Sequence, residues 1–170
     1  SVGMPMKEAL AFAHDALVGF GLRNEVKILV AGKIVTGYHI FRAIGLGADA
    51  CYSARAMMMA VGCIHALECN TNRCPTGVAT QDPELVEGLV VEDKKVRIAS
   101  FHKQTLHSFV ELLGAAGLDD PSQIKRSMIN RRVTVSVSKR FDEIFPYLKP
   151  GCLLDEETIP QSWKLYMDEA

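Results

Sequence analysis

The sequence predicts an α/β fold, and three observations carry that expectation. A run rich in β-branched residues, Val26-Lys27-Ile28-Leu29-Val30-Ala31, closes on Gly32 and reads as a buried strand of a parallel sheet. A second short apolar run spans Ala48 to Tyr52, and between the two Ile40, Phe41 and Ile44 recur at helical spacing. Strand, crossover helix and strand in that order make a β-α-β unit. The 170 residues are 48% hydrophobic and 23% charged, a balance that suits a packed core rather than disorder.

Before the first strand, Pro5 is placed as a first helical residue, and Leu10, Ala13, Leu17 and Phe20 mark an inward stripe ending near Gly21. Thr36 is placed to cap the crossover helix, which stops at Gly45 or Gly47. After Ser53 a Met-rich helical segment is expected to reach Leu67, followed by a loop from Cys69 to Pro83. Asp82-Pro83-Glu84 starts a long helical pattern, broken near Gly88 and running to Gly117, with Leu106, Phe109, Val110 and Leu113 on one face. Asp120 and Gln123 stand at capping-box spacing for a short helix. Val133, Val135 and Val137 alternate with polar residues as a half-buried strand would, and Phe141 to Leu148 returns to helical spacing before the Pro150-Gly151 turn. The acidic end after Asp155 is expected to be loosely held.

A formal net charge of -1 without a dense Lys/Arg run gives no field to gather nucleic acid or an anionic membrane. The most apolar stretch, Ala54 to Leu67, is too short for a bilayer and carries Arg55. With no leader pattern at its start, the chain is expected to be cytoplasmic.

Of the cysteines at 51, 63, 69, 74 and 152, three stand out. Cys63, Cys69 and Cys74 lie at C-x5-C-x4-C spacing, the last followed by Pro75, and a loop of this kind can wrap one inorganic centre. Three thiolates suit a three-iron cluster, one per iron. A structural zinc site wants four ligands and would have to recruit His65 or a more distant group. Plain burial of the thiols is the remaining alternative, since free Cys is often a small buried hydrophobe. Cys51 and Cys152 lack neighbours at ligand spacing.

The residues around these thiols add a resemblance. Gly62-Cys63-Ile64, Cys69-Asn70-Thr71-Asn72 and the run from Cys74-Pro75-Thr76-Gly77 to Asp82-Pro83 resemble the cluster motif of the glutamate synthases, and Val90-Val91-Glu92-Asp93-Lys94 also follows the shorter, single-domain synthases of that family. The resemblance implies a [3Fe-4S] cluster held by Cys63, Cys69 and Cys74 beside FMN. His65 then packs near the cluster rather than ligating it, and Asn70 and Asn72 shape the loop. His14, His39, His102 and His107 have no sequence partner that points to chemistry, and Met57-Met58-Met59 reads as core packing.

Two small-residue turns, Ala31-Gly32-Lys33 and Tyr52-Ser53-Ala54-Arg55, each follow a strand and lead into a helix; from the pattern alone a glycine after a strand reads first as a structural turn, and its backbone N–H groups can also face an anion. A (β/α)8 barrel uses such consecutive turns near strands 7 and 8 to hold phosphate. The resemblance makes Gly32, Lys33, Ser53, Ala54 and Arg55 the candidates for the flavin phosphate. It also implies the C-terminal portion of a TIM barrel over 1–117, including the Cys loop 63–83, and a mainly helical extension over 118–170. The chain would then begin after the glycine-rich segment that follows strand 6.

The function so implied is that of an oxidoreductase fragment. Its parent makes L-glutamate from 2-oxoglutarate and ammonia delivered from glutamine, and the fragment is inactive by itself. Its implied partners are the remainder of the barrel and an electron-donor subunit or ferredoxin, and its open strand edge predicts self-association. A non-catalytic module with a Cys-rich structural zinc site is the alternative.

Overall fold

The computed structural model describes residues 3–168. Contacts divide them into two compact units, one formed by 3–30, 41–51 and 118–168 and the other by 31–40 and 52–117. Among the described residues the strands form two two-stranded sheets.

In the first unit, helix α1 (Met6–Gly19) starts behind Pro5, which sits at the cap rather than inside the helix. It buries Leu10, Ala11, Asp15 and Gly19, whereas Ala13 is exposed and Phe20 lies beyond the helix end. The expected Leu10/Ala13/Leu17/Phe20 stripe is thus corrected to a row led by Ala11, Asp15 and Gly19. The reason is what this face must accept. A Cβ on Gly19 would stand 2.5 Å from the Leu153 side chain, and Asp15 takes two hydrogen bonds from the fully buried Arg126, at 3.0 and 2.7 Å.

Strand β1 (Leu29–Ala31) and strand β2 (Ala50–Tyr52) are hydrogen-bonded neighbours. Each is shorter than its apolar run, and Val26 stays exposed. Helix α2 (Gly37–Gly45) lies between them in sequence, so strand, helix and strand follow in the predicted order. Its C-terminal end packs where Gly45 admits Ile129: a Cβ there would be 2.6 Å from Ile129 Cδ1.

The C-terminal region departs most from expectation. Val133 to Val137 is not a strand but the tip of a hairpin, joining β3 (Asn130–Arg132) to β4 (Ser138–Arg140) in antiparallel register. The Val133 N–H donates to the Val137 carbonyl at 2.8 Å, and Val135 is 94% exposed. Alternation alone placed the strand; the polar flanks that do pair have no apolar signal to announce them. Helix α6 is one turn (Phe141–Ile144) rather than running to Leu148.

The acidic end carries a helix among the described residues. After the one-turn α4 (Pro83–Val86) and long α5 (Val91–Ala115) of the second unit, the last helix α7 (Gln161–Asp168) sets Trp163 flat on Phe12, ring centroids 4.8 Å apart, with Tyr166 edge-on at 5.1 Å.

In the second unit, helix α3 (Arg55–Val61) packs along α5. It stops six residues short of the expected Leu67, because Gly62 (φ 123°) takes the left-handed cap and the Cys63 N–H turns back to the Met58 carbonyl at 3.0 Å. The break near Gly88 is present between α4 and α5. Helix α5 buries Phe109 and Leu113, but Leu106 and Val110 of the expected face are exposed. No helix of the described residues is long and apolar enough to cross a membrane.

Candidate cofactor-binding site

The candidate residues all fall in the second unit. At the end of β1, Gly32 (φ 144°) and Lys33 (φ 53°) both leave the ordinary backbone regions. Glycine accepts this freely; lysine does so at a steric cost. Past the end of β2, the Ser53 hydroxyl donates to the Ile34 carbonyl at 2.7 Å, so the two turns are tied to one another. That bond commits the single hydroxyl proton of Ser53, and the donor left to it for an anion is its backbone N–H. Ala54 then caps α3 without a side-chain hydrogen bond, and Arg55 begins the helix as an exposed residue.

Helix α3 is the spacer between the turns and the thiols. Its seven residues rise roughly 10 Å at 1.5 Å per residue, with Arg55 at one end and Cys63 just past the other.

The cysteine loop is bent by its own polar contacts rather than by a core. His65 (φ 57°), Leu67 (φ 61°) and Asn72 (φ 64°) all adopt left-handed backbone, and Leu67 is 83% exposed. The Asn72 side chain draws the loop closed by accepting the Gln81 N–H at 2.7 Å, while the Thr80 hydroxyl donates to the Asn72 carbonyl at 2.6 Å. Asn72 therefore shapes the loop, as its position suggested. The one-turn α4 that follows starts on the Asp82 cap, which accepts the Glu84 N–H at 3.0 Å.

Cys63, Cys69 and Cys74 line one small cavity of about 10 Å³, together with Ile64, Leu67 and Pro75. Cys74 is buried, Cys63 half-buried and Cys69 exposed. The Thr76 hydroxyl, 3.5 Å from Cys74 Sγ, and the N–H groups of Thr76, Ala79 and Val78 bring this thiol down to about 7 against the opposing effect of burial. A thiol so supported gives up its proton readily, which is what metal ligation requires. The His65 N–H donates to Cys63 Sγ at 3.5 Å, and the His65 side chain is exposed. Among the described residues, no three His, Cys, Asp or Glu side chains converge on a single point as they would around one ion. By contrast, burial pushes the Cys51 thiol up, and Cys152 is buried within the first unit.

The donor set and its setting fit the groups expected of them: three thiols share a cavity, backbone N–H groups support the innermost sulfur, and a short helix links that loop to two tethered turns. The family described as "Conserved region in glutamate synthase" matches residues 1–119. The chain belongs to the glutamate synthase family. Every candidate residue, from Gly32 to Cys74, lies inside the stretch that the glutamate synthase family matches. A "Glutamate synthase large subunit-like protein YerD" of Bacillus subtilis is 40% identical over 129 residues, 76% of this chain and 25% of that protein. An "Archaeal glutamate synthase [NADPH]" of Methanocaldococcus jannaschii is 42% identical over 124 residues, 73% of this chain and 24% of that protein. The "Glutamate synthase [NADPH] large chain" of Bacillus subtilis is 32% identical over 142 residues, 83% of this chain and 9% of that protein. The chain thus spans about a quarter of the first two relatives.

Two residues that shape the candidate site escaped the sequence reading. Thr76 supports the Cys74 sulfur; its place two residues after a candidate cysteine was the available signal. His39 anchors the first turn, and Thr36-Gly37-Tyr38-His39 hides a capping box because histidine stands where Glu or Gln would announce one.

Proposed function

We propose that this chain is the C-terminal portion of an FMN- and iron–sulfur-dependent, glutamate synthase-like oxidoreductase, with β1 and β2 as strands 7 and 8 of a TIM barrel completed by other parts of the protein. The observation that carries the reading is the common cavity of Cys63, Cys69 and Cys74 at one end of a helix whose other end opens on two tethered strand-to-helix turns. When bound, FMN and the [3Fe-4S] cluster supply the hydride and electron transfer that turns 2-oxoglutarate and ammonia from glutamine into L-glutamate.

The chain's own residues bind and orient. Cys63, Cys69 and Cys74 hold the cluster as thiolates, and the donors around Cys74 favour that ionised form. The N–H groups of Gly32, Lys33, Ser53, Ala54 and Arg55 face the flavin phosphate, with the Arg55 guanidinium adding a charge-assisted bond when it turns inward. Residues that contact the flavin ring and the substrate belong to earlier strands, so these 170 residues alone are inactive. NADPH in the names of two relatives supports a reduced nicotinamide as the electron source, reaching the site through a donor subunit or ferredoxin.

Anaerobic reconstitution of the chain with iron and sulfide tests the proposal. Iron and sulfide at the ratio of a three-iron cluster, with visible absorbance lost in Cys63→Ser, Cys69→Ser and Cys74→Ser but kept in Cys51→Ser, is the expected result. Equimolar zinc bound by the same thiols would redirect the reading to a structural metal module.

A further inference from the structure

The first unit holds a cavity of about 460 Å³ that none of the candidate cofactor residues lines. Its lining residues precede the strands β1 and β2 or come from the C-terminal region, whereas the turns proposed to hold phosphate follow those strands. The volume is that of a small-molecule site. Which ligand suits it depends on the polar groups that the fold leaves uncommitted. Arg23 is a strut: Nε donates to His14 Nδ1 at 2.9 Å, Nη1 to the Val26 carbonyl at 2.9 Å, and Nη2 to the Gly47 carbonyl at 2.9 Å and Asp49 Oδ2 at 2.8 Å. Asp49 in turn accepts the Ile28 N–H at 2.7 Å and pairs with Lys27 at 3.5 Å. The Arg23 and Asp49 charges therefore answer each other rather than a ligand.

What remains is two donors and one carboxylate. His14 Nδ1 accepts from Arg23, so the ring proton sits on Nε2, and that N–H has no partner among the described residues. Gly47 admits the imidazole where the Cβ of any other residue would collide with it. The Tyr147 hydroxyl accepts the Arg126 N–H at 2.9 Å and keeps its own proton to donate. Asp120 accepts the Ser122 N–H at 2.7 Å, and its bonds from Ser122 hold the carboxyl below its ordinary range. With about four lone-pair sites, that carboxylate retains acceptor capacity. Ile44, Ala48 and Pro121 give the same cavity an apolar wall. An anionic ligand would meet Asp120 with no unmatched cation to offset it. An uncharged, flat heterocycle meets every demand: its ring nitrogen or carbonyl oxygen accepts, its N–H donates, and its faces are apolar.

We infer that this cavity binds a nucleoside through its base, with His14 Nε2–H and the Tyr147 hydroxyl donating to the base, Asp120 accepting its N–H, and the apolar wall covering one of its faces. The inference is independent of the cofactor roles proposed above, because it uses none of their residues.

Ligand-observed saturation-transfer NMR of the 170-residue chain with adenosine, guanosine, cytidine and uridine tests it. At least one nucleoside is expected to bind with a dissociation constant of about 1 mM or tighter, with saturation strongest on the base protons, and ribose alone is expected not to bind. Asp120→Asn keeps a capping oxygen for the Ser122 N–H but replaces the other carboxylate oxygen with a donor. It is expected to weaken the nucleoside about tenfold, the scale of losing a hydrogen bond to a charged group, with the melting temperature unchanged. His14→Asn keeps an acceptor for Arg23, removes the Nε2–H, and is expected to weaken binding as well. Failure of every nucleoside to bind, ribose binding as tightly as a nucleoside, or unaltered affinity in either folded variant overturns the inference.

Discussion

At the scale of single residues, the greatest sensitivity lies at Asp15 and Arg126. The guanidinium is fully buried, makes a two-pronged pair with the Asp15 carboxylate, donates to the Phe145 carbonyl at 2.9 Å and lies over the Tyr147 ring. Residues 111 apart in sequence are joined by it. Asp15→Ala strands a buried cation and is expected to cost about 3–5 kcal/mol. Replacing both partners with apolar residues of similar size should recover most of that loss, and urea unfolding of the single and double variants checks both. His14 provides a pH dependence. Burial, with the Arg126 and Arg23 cations, holds its imidazole below the ordinary 6.5, and Arg23 Nε donates to its Nδ1 at 2.9 Å. As pH falls, the unfolded chain therefore takes up this proton before the folded one. The stability carried by neutral His14 is complete above 6.5 and is lost progressively as the pH drops below it. Melting temperatures across that interval should decline in the wild type and decline less in His14→Asn. Asp49 titrates in a separate window: burial opposes its ionisation, but the Ile28 N–H and Arg23 outweigh that and hold it below 3.8, so its contribution fails only in stronger acid.

At the scale of elements, Gly37 shows how a small residue can set a helix in place. The α5 backbone occupies the space a side chain would need, so Gly37→Ala forces α2 and α5 apart and is expected to cost about 1–3 kcal/mol, as overpacking does. Thermal unfolding should show it, whereas Gly114→Ala, with open space around it, should not. The elements legible in the sequence were those with local punctuation: the Asp82 and Asp120 caps, the break near Gly88, and the strand-helix-strand order around α2. Elements decided by distant partners were not legible. Val133 to Val137 alternates well but turns at the hairpin tip, because pairing is set by Asn130–Arg132 and Ser138–Arg140. The last helix looked untethered until Trp163 met Phe12, a residue near the other end of the chain. The site divides in the same way. The three thiols stood out because their spacing lies within one loop, but the Ser53 bond to Ile34 joins turns separated by a whole helix and left no trace in the local pattern. At α7 the stacking yields a prediction of its own. Trp163→Ala removes the flat contact with Phe12, worth about 0.5–1.5 kcal/mol beyond the area buried, and hydrogen exchange over 161–168 should accelerate while that of α5 stays unchanged.

At the scale of the whole molecule, the governing fact is that the chain covers about a quarter of the first two relatives it matches. Among the described residues its β1–β2 sheet has two strands, so each has an edge without a sheet neighbour there, and such edges recruit other strands. Leu29 and Tyr52, 55% and 61% exposed, place apolar surface on the same two strands, where a completed barrel would bury it. Isolated, the chain is predicted to self-associate. Static light scattering should give a weight-average mass that rises with concentration, and Leu29→Lys should lower it by putting a charge where a second copy would pack. A strictly monomeric wild type over the whole accessible concentration range would mean that this sheet does not need the neighbours the barrel proposal assigns to it. Association abolished equally by a hairpin-tip change such as Val135→Asp would instead move the contact to the C-terminal hairpin, where Val135 stands almost fully exposed. The pair of variants therefore separates a missing-barrel edge from an ordinary surface patch.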